Sequence, residues 1–265
     1  MLRIYFLTAL LLLHGCENGH SISAVEETRK EEVTSQIPLR QNMGKTTGHG
    51  EGDILFSPYG GQKEQFPSQA MIDVVQINQN PELRYGCEVT SLAMVLNYAG
   101  VHTGKLELFR RVKKDPDPIV RTGRDITKWG NPADGFVGDM TGKRSAGYAV
   151  FDKPIVDLVN EYLPGRAVNL TNRPFEDILA HVAQGYPVVV WTTGDYRLPD
   201  RWESWMHGGE RIRTPLDLHA VVLVGYDANN VYINDPLSGK KQHKVNKEQF
   251  IASWKALKCR AVSYK

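Results

Sequence analysis

The chain has 265 residues and carries 32 Lys and Arg against 30 Asp and Glu, a net charge of +2. That balance excludes a general polyanion binder, so no nucleic-acid partner is expected. With 24 Gly and 14 Pro the chain is neither collagen-like nor wholly disordered. Three cysteines without a CxxC pair exclude both a disulfide-dense scaffold and a zinc ribbon.

The N-terminus opens with Arg3 and an apolar run over residues 4–13. Such a run is too short to span a bilayer and suits a signal peptide. Leu13-His14-Gly15-Cys16 resembles a bacterial lipobox, in which the cysteine becomes the lipidated first residue of the mature chain. Residues 1–15 are therefore expected as a lipoprotein-type signal peptide. Cys16 would then anchor the chain on the outer face of the cytoplasmic membrane; plain secretion is the alternative. Residues 16–66 have few apolar clusters and carry the charged run Glu26-Glu27-Thr28-Arg29-Lys30-Glu31-Glu32. They read as a tether that cannot bury enough surface to fold alone. Residues 67–265, about 200 in number, suffice for one domain.

Along that domain, residues 74–77 read as a short strand and residues 78–86 as a loop punctuated by Pro81. From Cys87 onward, Val89, Leu92, Ala93, Leu96 and Ala99 fall at helical spacing, with Gly100 as the stop. Cys87 thus stands at a helix N-terminus, where the dipole favours a thiolate and free N–H groups can hold an oxyanion. Gly86 would let a substrate backbone approach. A small buried hydrophobe is the alternative reading of the same cysteine.

A helix over 106–112 is flanked by Lys105, Arg110, Arg111, Lys113 and Lys114, read as a solvated face. Residues 131–140 read as a turn-rich loop lining a cleft, without EF-hand spacing. Helices over 153–162 and 175–184, the latter with His181 on its face, alternate with strands over 167–170 and 187–193. The segment 194–217, with Trp202 and Trp205, is either a packed flap or a groove lining that stacks on sugar.

Residues 219–226 read as a buried strand opened by His219, and 230–235 as a strand closed by Asp235. A tight turn at 227–230 pairs them as a hairpin. Both residues then sit near the same open end, within reach of an imidazole-to-carboxylate bond. A helix over 246–257 buries Trp254, and a last strand covers 259–264. Cys259 is expected as a buried, inert thiol. A Cys87–Cys259 disulfide would block Cys87, so both thiols are expected to be free.

A thiol nucleophile needs a histidine and a group to orient it. Of the eight histidines, His219 alone opens a buried strand. It lies 132 residues after Cys87, and Asp235 lies 148 after it. Papain-like proteases place these partners about 130–150 residues after the cysteine. The segments around Gln79–Met94, Gly130–Gly138, His219–Tyr226 and Asn234-Asp235-Pro236 resemble the bacterial peptidase C39-like group, of the papain-like clan. The resemblance implies an α+β papain-like fold, with a nucleophile helix packed on a mostly antiparallel sheet. It implies Cys87 as nucleophile, His219 as base and acid, and Asp235 as the orienting acid. It further implies a glutamine that completes the oxyanion hole with the Cys87 backbone N–H: Gln79, or Gln76 as fallback. No cofactor or metal is called for, and a monomer is expected. The reading is a membrane-tethered, extracytoplasmic cysteine peptidase acting on a peptide or protein. The alternatives are a peptidoglycan amide hydrolase and a non-catalytic binding lipoprotein on the same fold.

Overall fold

The computed structural model describes residues 66–265; the expected signal peptide, Cys16 and nearly all of the tether lie outside these. The first half runs β1 (Ala70–Met71), α1 (Cys87–Tyr98), α2 (Lys105–Arg111), β2 (Lys114–Asp115), β3 (Val120–Thr122), β4 (Asp125–Lys128) and β5 (Phe136–Val137). It continues through α3 (Asp152–Tyr162), β6 (Ala167–Asn169), α4 (Phe175–Ala183), β7 (Val188–Thr193), β8 (Trp202–His207) and β9 (Glu210–Pro215). The chain closes with β10 (Leu218–Tyr226), β11 (Asn230–Asn234), β12 (His243–Asn246), α5 (Lys247–Ala256) and β13 (Ala261–Tyr264).

The main sheet is antiparallel throughout, ordered β12-β11-β10-β7-β13-β6, with β1 also paired to β10. Its centre is β7 and β10, joined in register from Leu218↔Thr193 to Leu223↔Val188. Every residue of β7 is buried, as is every residue of β10 after Leu218. Strands this apolar must be covered on both faces. Helices α1, α3, α4 and α5 pack against the sheet and supply that cover. Helix α1 is buried at every position from Cys87 to Leu96, so it is a core helix rather than a surface one. Asn246 caps α5, its Oδ1 accepting from the Gln249 amide at 3.0 Å. Trp254 is fully buried, as its place in that helix implies.

The run 74–77 forms no ladder. The Asn234 side chain takes up its carbonyls, donating to Val74 O at 3.0 Å and to Val75 O at 3.5 Å. The strand lies just before it, at β1. The basic flank of α2 is likewise not simply solvated. Lys105 Nζ donates to Asn78 O (2.5 Å), Gln79 O (2.9 Å) and Glu82 Oε2 (2.6 Å). Lys114 Nζ caps the α2 C-terminus through Phe109 O (2.7 Å) and Val112 O (3.1 Å), satisfying carbonyls the helix leaves open. His181 is buried rather than on a free face, its Nε2 2.9 Å from Ser263 Oγ.

The segment 194–217 folds as the β8–β9 hairpin, extended by β4 and β3 into a second sheet ordered β3-β4-β8-β9. The two tryptophans divide. Trp205 is buried in a satellite cluster with Trp129 and Tyr148, its Nε1 donating to Gly130 O at 2.8 Å. Trp202 stays at the surface, stacked under the Arg213 guanidinium at 4.2 Å. Trp205→Ala would empty the satellite core and orphan a buried carbonyl. A loss of about 3–5 kcal/mol is expected, read in thermal unfolding as a fall of roughly 6–20 °C.

Of the cysteines, Cys87 is free and Cys259 is disulfide-bonded. The expectation of two free thiols is therefore corrected. It weighed only the pairing that would block Cys87, whereas the bond at Cys259 leaves Cys87 untouched.

Candidate active site

Helix α1 starts at Cys87 because Gly86 ends the preceding loop. A Cβ on Gly86 would stand 2.5 Å from Leu83 Cβ, so glycine is required there for packing under the loop rather than for substrate approach. No side chain caps this N-terminus. One turn on, Ser91 Oγ donates to Ala220 O at 3.2 Å. That bond fixes the second turn of α1 against β10 at the residue after His219. The Ala220 amide also faces the Cys87 sulfur.

His219 is held from the other side. Its Nε2 lies 2.7 Å from Asp235 Oδ1, both side chains being buried. Asp235 follows β11 directly and opens the turn, and its carboxylate accepts from the Leu237 amide (2.8 Å) and Ser238 Oγ (2.5 Å). Tyr196 donates from its hydroxyl to Oδ2 at 2.9 Å. Burial alone would raise the Asp235 pKa. The bond and charge of His219, with Ser238 and the Leu237 amide, outweigh it and hold the carboxyl well below the ordinary range. An ionised Asp235 fixes the imidazole tautomer: Nε2 carries the proton, and Nδ1 keeps its lone pair. The Nδ1 atom has no hydrogen-bond partner among the described residues and is the nitrogen available as a base.

The segment preceding Cys87 is tied to the same turn. Gln76 Nε2 donates to Asp235 O (2.9 Å), and the Gln79 amide donates to Pro236 O (2.8 Å). Gln79 is buried. Its Nε2 donates to Arg84 O at 2.8 Å, and its Oε1 has no partner. Both glutamines thus lie between the cysteine loop and the acid turn.

The expectation of a lowered Cys87 thiol is not met. Burial pushes it up, the charge of Glu88 adds to that, and the amides of Ala220 and Glu88 oppose it without winning. The thiol donates to Glu88 Oε2 at 3.3 Å. Desolvation at the helix end therefore outweighs the dipole.

Sequence reasoning missed Tyr196 and Glu88. Tyr196 sits at φ 64°, in a turn whose backbone aims its hydroxyl at a residue 39 positions away. Nothing local marks that. Tyr196→Phe is expected to lower kcat by about ten- to a hundredfold at most, the worth of one hydrogen bond to a charged group, with KM little changed.

Asp115, Asp117 and His207 offer ligand atoms within 4.8 Å of one another, a mixed set of the kind that can hold a divalent cation. His207 was read as a loop residue and is instead the end of β8. The loop 131–140 contributes Phe136, Gly138, Asp139 and Met140 to a cavity of about 710 Å³. Its lining includes none of Cys87, His219 and Asp235.

A helix opened by a cysteine packs on an antiparallel sheet that carries a histidine–aspartate pair. The chain belongs to the C39-like peptidase family: the model for the Peptidase_C39 like family matches residues 71–262. It is similar to the uncharacterized protein YvpB of Bacillus subtilis (strain 168), 35% identical over 228 residues that cover 85% of this chain and 87% of the relative. It is also similar to the crystal structure of a protein described as a C39-like peptidase from Bacillus anthracis. That match has a TM-score of 0.68 at 36% identity and covers 74% of this chain and 97% of the other.

Proposed function

We propose that the protein is a cysteine peptidase in which Cys87 attacks the carbonyl of a peptide bond. The observation that carries this reading is the buried His219–Asp235 pair at 2.7 Å, on a strand bonded to the second turn of the Cys87 helix. His219 Nδ1 takes the thiol proton as sulfur bonds to carbon. The tetrahedral oxyanion is held by the Cys87 backbone N–H and the Gln79 side chain. Imidazolium then gives its proton to the leaving amine, and a thioester remains. Water, deprotonated by His219, adds to the thioester carbonyl, and collapse releases acid and thiol. Asp235 keeps the ring oriented and stabilises the imidazolium without itself taking the proton.

We infer further that the chain works outside the cytoplasm, anchored through a lipid on Cys16. The apolar run over residues 4–13 and the lipobox-like Leu13-His14-Gly15-Cys16 support this reading. The intact mass of the protein from the membrane fraction tests the anchor. The expected result is a chain beginning at a diacylated Cys16; a chain with an unmodified Cys16 points to plain secretion.

Incubation of the full chain with a proteome-derived peptide library and, separately, with purified sacculi tests the activity. Cleaved library peptides support the peptidase reading. Release of muropeptide fragments alone moves the substrate to cell-wall amides. Neither product would favour a binding protein on this fold.

A further inference from the structure

Glu88 has no part in the mechanism above, yet it is fully buried and touches the reacting atom. Its two oxygens are not equivalent. Oε1 accepts the Val150 amide at 3.0 Å, and Oε2 faces Cys87 Sγ at 3.3 Å. When the carboxyl carries a proton, Oε1 is already occupied by a donor, so the proton belongs on Oε2, pointing at sulfur. Val150 is itself fixed, its carbonyl accepting from Trp191 Nε1 at 3.0 Å, so the carboxyl cannot swing away cheaply.

Resting on the reading of Cys87 as nucleophile, we propose that Glu88 governs the proton on that sulfur. As a neutral acid it donates from Oε2 to the thiolate, while His219 holds the proton taken from the thiol; as a carboxylate it accepts from the thiol and keeps Cys87 unreactive. The proton count balances in both states, because Glu88 neither gains nor loses a proton when the thiol proton passes to His219.

The titratable groups facing this pair are few. Tyr148 approaches from the segment before α3, and its phenol, bonded to Thr214 Oγ1 and Pro215 O, is driven further up by burial and stays neutral. His219 approaches from β10, one residue from the Ala220 amide that faces the sulfur. Among the described residues no Lys or Arg is hydrogen-bonded to the carboxyl. Burial pushes the Glu88 pKa up to about 7, which places the change between the two states near neutral pH.

The test is the rate of Cys87 alkylation by iodoacetamide across pH, read by mass mapping in the full chain. In the wild type, an inflection near 7 is expected, above which the rate lags. Glu88→Gln can still accept from Val150 through its oxygen and donates to sulfur at every pH. It should lose the inflection and react about tenfold faster than wild type one unit above it, the change that one unit of ionisation makes. Glu88→Leu, which has no donor, should react about tenfold more slowly than Glu88→Gln throughout; if it does not fold, the Gln profile decides alone. Wild-type and Gln profiles that differ only by a constant factor overturn the proposal, since a purely structural carboxyl would give that result. His219→Ala separates the two readings. If it leaves alkylation unchanged, the Cys87–His219 mechanism fails, whereas superimposed profiles with a slowed His219→Ala reject only the role of Glu88.

Discussion

Cys87→Ala is expected to lower peptide-bond cleavage by a factor on the order of 10⁴ or more, because the proposed acyl intermediate forms on its sulfur. The fold should survive. The side chain removed is one sulfur, and its hydrogen bond runs to a neighbouring carboxyl that keeps the Val150 amide. A stability change within about 1 kcal/mol, typical of a mild core substitution, should accompany the loss of activity. Turnover by purified Cys87→Ala on a library-identified peptide, measured beside its thermal unfolding, checks both parts.

Asp235→Ala is expected to be nearly as severe for activity and far worse for stability. Four donors converge on this carboxylate: His219 Nε2, Tyr196 hydroxyl, Ser238 Oγ and the Leu237 amide. Removing it leaves a buried imidazole without orientation and a buried phenol without a partner. A loss of about 3–5 kcal/mol follows for breaking a buried charged network, with kcat down by roughly 10³–10⁴ from the lost tautomer. Asp235→Asn keeps the shape and an acceptor oxygen but not the charge, so it should fold better and catalyse no better. The wild type carries a pH signature of the same contacts. The folded-state pKa of Asp235 is depressed, so its contribution is fully present above the ordinary aspartate value of about 3.9. It is lost as pH falls through the lower folded value. Acid unfolding monitored by circular dichroism should show a steeper loss below that point in wild type than in Asp235→Asn.

What the sequence made legible was decided by periodicity and by chain order. The helix from Cys87 and the strands of His219 and Asp235 could be read because each is long and apolar along its burial pattern. The meeting of His219 with Asp235 followed from a hairpin whose turn is marked by Asp227 and Asn230. The β8–β9 hairpin escaped notice because charged residues are mixed through it and only Trp205, Ile212, Thr214 and Pro215 are buried along it. The strand expected over 74–77 failed because a side chain, Asn234, took the carbonyls that a neighbouring strand would have used. Glu88 stood beside Cys87 in sequence, yet the placement of its carboxyl depends on Val150, 62 residues on. The raised thiol of Cys87 was equally hidden: the helix dipole can be read locally, while the depth of burial that overrides it is set by strands more than a hundred residues downstream.

Acid quench during turnover of a library-identified peptide, followed by mass mapping of the chain, tests the role of Cys87 most directly. The expected result is the acyl half of the substrate carried as a thioester on Cys87 and on no other residue. An acyl group mapped to a different side chain, or cleavage by Cys87→Ala at the wild-type rate, would contradict it.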